Sequence, residues 1–149
     1  MRRSVAVAVL ALAGSSLVGC SERGPDTSAA DAWFAEAEET VASQWGDRLV
    51  AAGGGIVTQH DGEGLVTADL GEPKAVSEFL VACGGDGGEA QVSLGLSDSA
   101  QPVDAYTVSC TGDYESVQSF AEPIDVRSVK FGFSAPGEPV GVSLVVLGQ

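Results

Sequence analysis

The sequence predicts a mainly β fold, an antiparallel β-sandwich of jelly-roll or Ig-like type with one N-terminal amphipathic helix. Three features of the 149-residue chain carry that expectation. Between Ile56 and Val146, apolar residues alternate with polar or small ones in short runs, the period of two that half-buried strands require. Glycine, aspartate and proline punctuate those runs as turn residues. Ahead of them, over residues 31–45, the apolar spacing lengthens to four, the signature of a helix with one buried stripe.

The chain opens on Met1-Arg2-Arg3, continues with an unbroken apolar run over residues 5–13, and then turns to small residues at Gly14, Ser15 and Ser16. That order reads as a signal peptide. The apolar run is too short to cross a bilayer, which takes about 20 residues. Leu17-Val18-Gly19-Cys20 resembles the lipobox of bacterial lipoproteins. The resemblance implies that residues 1–19 are removed and that Cys20 is the lipidation site, carrying a thioether-linked diacylglyceryl group. At about 0.8 kcal/mol per buried methylene, two acyl chains make an effectively permanent anchor. Ordinary cleavage with Cys20 as a free thiol is the alternative; the residues that surround a twin-arginine pair are missing around Arg2-Arg3. Residues 20–30 then form the lipidated cysteine and a flexible polar tether, and residues 31–149 a single helix-plus-sandwich domain.

Charge sharpens this picture. The chain has 21 Asp+Glu against 7 Lys+Arg, a net charge of −14, and removing Arg2 and Arg3 leaves 5 − 21 = −16. Such a body is repelled by phosphate backbones and by anionic headgroups, and no Lys/Arg cluster offers a phosphate track, which excludes nucleic-acid binding.

Each element follows in order. In the helix, Trp33, Ala37, Val41 and Trp45 recur every fourth residue with Phe34 beside them, while Glu36, Glu38 and Glu39 take the opposite face. Ser28 or Asp31 is the candidate cap; Gly46 is the favoured stop, with Gly53-Gly54-Gly55 as the second choice. The two tryptophans pin the helix to the edge of a small core. Ile56-Val57-Thr58 and residues 65–70 are strands on either side of the turn Asp61-Gly62-Glu63-Gly64. Alternation continues through Phe79, Val81 and Cys83; through Val92, Leu94 and Leu96; through Tyr106, Val108 and Cys110; through Val129, Phe131 and Phe133; and through Val140, Val142, Leu144 and Val146. Assigning Cys20 to the lipid leaves Cys83 and Cys110, which pair in only one way. Both are in phase with the inward residues of their strands, so the bridge is structural; neither has a CxxC neighbour, and His60 is the sole histidine.

A lipobox, a tether, a helix, and then Asp69-Leu70-Gly71, Val81-Ala82-Cys83-Gly84-Gly85, Val92-Ser93-Leu94 and Val108-Ser109-Cys110-Thr111-Gly112 together resemble the small envelope lipoproteins of actinobacterial type. The resemblance implies a disulfide-braced β-sandwich held at the extracytoplasmic face of the cell membrane, and it brings no catalytic residues.

No constellation for chemistry emerges from the residues. His60 lies at a strand end running into a turn, away from any nucleophile elbow. Paired carboxylates are too numerous for one pair to stand out. His60, Asp61 and Glu63, Asp98 with Asp104, and Asp86 with Glu89 are calcium candidates, but none follows the EF-hand loop, and solvated turn carboxylates are the plainer reading. Gly84-Gly85-Asp86-Gly87-Gly88 lacks the lysine of a phosphate loop and reads as a hairpin turn. No metal or cofactor is expected. The expected function is therefore that of a non-enzymatic binding or interaction module of the cell envelope, with a basic envelope protein or cell-wall component as partner. The alternatives are an inhibitor-type lipoprotein that captures a basic enzyme such as lysozyme, and a carboxylate-dependent hydrolase. Any ligand site is expected in the loops after Leu70, Gly95 and Gly112.

Overall fold

The computed structural model describes residues 26–57, 66–85, 88–96, 104–135 and 137–149. The fold is mainly antiparallel β with one N-terminal helix. Helix α1 (Ser28–Trp45) is followed by β1 (Leu49–Val57), β2 (Val66–Gly84), β3 (Glu89–Leu96), β4 (Asp104–Ser109), β5 (Glu115–Ser134) and β6 (Val140–Leu147). The strands form one open sheet in the order β1-β6-β2-β5-β3-β4, with every neighbouring pair antiparallel. The strands flanking residues 61–64 are not partners: β1 lies against the last strand, β6.

Helix α1 begins three residues earlier than the apolar spacing suggests, because Ala30 is already buried against the sheet. Neither Ser28 nor Asp31 acts as its cap. Thr27 holds the N-cap position, and the Asp26 carboxylate accepts hydrogen bonds from the Ser28 amide (3.0 Å) and hydroxyl (2.6 Å), which holds the Asp26 carboxyl below its usual range. The helix ends at Trp45, before Gly46. Gly53-Gly54-Gly55 is strand, for a steric reason: a Cβ on Gly54 would sit 2.8 Å from the Phe34 ring and overlap the Val142 carbonyl.

Two long strands turn the single sheet into a sandwich-like body. Strand β6 pairs with β2 only over residues 78–84, whereas β3 pairs with β5 only over residues 129–134. One leaf is therefore β1, β6 and the second half of β2 with the start of β5; the other is the start of β2, the end of β5, β3 and β4. The β2–β5 register slips between Asp69 and Lys74 and again between Val76 and Glu78. The unpaired stretches contain Pro73 on β2 and Pro123 on β5, residues with no amide to give to a ladder. Gly71 has φ +75° there, and its amide donates to the Asp69 carboxylate (2.8 Å). These bends are why the sequence suggests two separate strands within β2 and none over residues 115–126: each slip moves the apolar residues to the other face.

The core lies between the leaves, around Phe79, Val81, Val92, Leu94, Val129 and Leu144. A second cluster, Val41, Leu80, Val145 and Leu147, lies on the opposite face of the first leaf, beneath α1. Strand β6 is consequently buried at every position.

Candidate functional site

The helix-covered end of the first leaf is built on glycine. Gly84 of β2 and Gly141 of β6 are register partners, and a Cβ on either would overlap the Trp33 indole; a Cβ on Gly112 would lie 3.4 Å from its Nε1. Trp33 thus rests on bare backbone. Close by, Cys83 and Cys110 form a disulfide with a Cα–Cα distance of 4.4 Å, both cysteines at most 1% exposed. The Gly112 amide donates to the Cys83 carbonyl (2.9 Å), and the Cys110 amide to the Gly88 carbonyl (3.0 Å). The bridge joins β2 to the segment after β4, elements with two strands, β5 and β3, between them in the sheet order. Its burial and backbone support suit a brace.

Trp45 occupies the other end of α1, edge-on to Tyr114 at 4.9 Å. The Tyr114 hydroxyl donates to the Ser143 hydroxyl (2.8 Å), and Ser143 is a buried polar side chain of β6, 4% exposed. Burial raises the Tyr114 pKa above its ordinary value; the Ser143 hydrogen bond opposes that rise and the Glu38 charge adds to it. Both tryptophans therefore anchor the helix to the sheet.

A small cavity of about 40 Å³ opens at the corner where the two leaves part. It is lined by Ala51 and Gly53 of β1, Leu144 of β6, Ala68 and Leu70 of β2, and Phe131 of β5, and among the described residues no polar side chain enters its wall. Strand β1 is the outer strand of the sheet here, so one side of its backbone has no strand partner among the described residues. Residues 49–57 contain no charge and no proline. The start of β2 carries Asp69, Glu72, Pro73 and Lys74, the start of β5 carries Glu115, Glu122 and Pro123, and β4 opens on Asp104. Those residues blunt a strand edge; β1 has none of them.

The cavity and the bare edge are the features that the linear sequence hides. In the sequence Gly53-Gly54-Gly55 reads as the second choice of helix stop, and only the uncharged length of the run hints at a strand. Of the loops expected to hold a site, the one after Leu70 is the bend within β2, and Gly112 (φ +89°) belongs to the disulfide turn. Cys20, His60, Asp61, Glu63, Asp86 and Asp98 lie outside the described residues. Asp104 and Glu89 are exposed at the starts of their strands. Burial, and after it the Asp104 carboxylate, raises the Tyr106 pKa above its ordinary value. Among the described residues no group of three His, Cys, Asp or Glu side chains is placed to hold a metal ion, and no helix is long and apolar enough to cross a membrane. No family model and no curated protein matches this chain.

Proposed function

We propose that the protein is an envelope lipoprotein, anchored through Cys20 on the extracytoplasmic face of the cell membrane, that acts as a non-enzymatic binding module for a basic partner. The observation that carries this reading is the buried Cys83–Cys110 bridge. Disulfides of this kind belong to oxidising compartments, and of the chain's three cysteines Cys20, within Leu17-Val18-Gly19-Cys20 and behind a charged and apolar leader, is the one outside that bridge. The excess of 21 acidic over 7 basic residues supports a cationic partner. It also keeps open capture of a basic enzyme such as lysozyme.

Expression in a lipoprotein-processing bacterium tests the anchor. The membrane-extracted protein should begin at Cys20 and carry the mass of a diacylglyceryl group, and Cys20→Ala should move it out of the membrane fraction. An unmodified Cys20 thiol on a protein released in soluble form would overturn the anchor. For the binding role, capture of basic envelope proteins should weaken steeply between low and high salt; retention unaffected by salt would refute the electrostatic part, and lysozyme inhibition at low salt would select the inhibitor reading.

A further inference from the structure

We infer that the free edge of β1 and the apolar cavity beside it form a docking site for one extended peptide strand with cationic flanks, supplied by a partner protein. The inference rests on the binding-module reading and names its site and its mode. Strand addition needs a sheet edge with backbone groups to spare and a pocket for alternate side chains. Strand β1 supplies the first: among the described residues it pairs only with β6, and residues 49–57 have none of the charges or prolines that guard the other edges. The cavity supplies the second. An engineered cavity of about 150 Å³ admits benzene, so the 40 Å³ between Gly53 and Phe131 takes one or two methyl groups. A valine-sized side chain on the incoming strand fits; an aromatic one does not.

Charge selects the occupant. A second copy of this chain would bring another −14 to the same edge, whereas a strand flanked by Lys or Arg meets a body of the opposite sign. Among the described residues, the acidic side chains nearest in sequence to β1 and to the cavity are Asp47, two residues ahead of β1, and Asp69, between Ala68 and Leu70; both are exposed, and Arg48, between Asp47 and β1, donates to the Gly148 carbonyl (3.2 Å) and the Ser77 hydroxyl (3.4 Å).

The test uses the purified, oxidised protein and a synthetic peptide of alternating Val and Thr between paired Lys flanks. Hydrogen exchange should slow at amides of residues 49–57 on peptide addition, and an otherwise identical peptide with Asp flanks should bind at least tenfold more weakly. Gly53→Ala is the informative variant, because its methyl would lie 3.5 Å from the Phe131 ring, in ordinary contact, and fill the cavity. It should fold, melt no lower than the parent, and bind the Lys-flanked peptide about tenfold more weakly. Unchanged exchange over residues 49–57, equal binding of the Asp-flanked peptide, or full binding by Gly53→Ala would each overturn the proposal. So would a dimer in sedimentation with β1 protected in the absence of peptide, since a second copy would then hold the edge. Loss of this site alongside intact salt-sensitive capture of basic proteins would refute the inference and leave the binding-module reading standing.

Discussion

Tyr114 and Ser143 show how one hydroxyl pair is held beneath a helix. Ser143 is 4% exposed, and the Tyr114 hydroxyl supplies its hydrogen bond. Tyr114→Phe leaves that buried oxygen without its donor and should cost about 1–2 kcal/mol in urea unfolding at neutral pH. The same residue sets an alkaline limb. Because burial raises the folded pKa of Tyr114 above 10.0, the unfolded chain loses the proton first. Stability is thus fully present below about pH 10 and falls as pH rises through the folded value. Urea midpoints measured from pH 8 to 11 should decline less steeply in Tyr114→Phe than in the parent. The glycines divide just as sharply. Gly141→Ala drives a Cβ into the Trp33 ring and brings it within 3.1 Å of the Ala30 carbonyl, whereas a Cβ at Gly55 meets nothing within 4 Å. The first should destabilise by about 1–3 kcal/mol and alter Trp33 fluorescence; the second should stay within about 0.5 kcal/mol.

At the scale of the element, β6 decides the layering. Val142 and Leu144 face the core between the leaves, while Val145 and Leu147 face the cluster beneath α1. A strand covered on both faces is buried along its whole length, as residues 140–147 are, and its one polar side chain, Ser143, is the one that Tyr114 supplies with a hydrogen bond. Val145 is fully buried, so Val145→Ala should cost about 2–3 kcal/mol by lost burial and a residual void. Since that void lies under the helix, thermal melts should fall together with protection of α1 amides. The long strands β2 and β5 have the opposite character. Their proline-containing bends, at two different points along the pair, forfeit several ladder bonds, and in exchange each strand serves both leaves without a loop.

Across the whole molecule, the disulfide fastens what the sheet order leaves apart. It joins residues 27 apart in sequence and ties the end of β2 to the chain leaving the edge strand β4. A loop of that length corresponds to about 3.5 kcal/mol in the chain-entropy model. Replacing both cysteines with serine, or adding reductant to the unfolding titration, should lower stability by about 2–4 kcal/mol without changing secondary structure. The helix, the β class and the Cys83–Cys110 pairing were legible in the amino-acid order, because each depends on local periodicity or on having one available partner. Trp33, Val41 and Trp45 announce a stripe wherever they are read. The pairing of β1 with β6, the continuity of β2 and β5 through their bends, and the cavity between Gly53 and Phe131 were not legible. Register slips reverse the facing of side chains, and contacts between the first and last strands leave no trace in neighbouring residues. Sequence alone determined the periodicities and the acidity of this protein. Only the tertiary structure decided which strand edge stays open and what lies beside it, because an edge is defined by the partners a strand lacks.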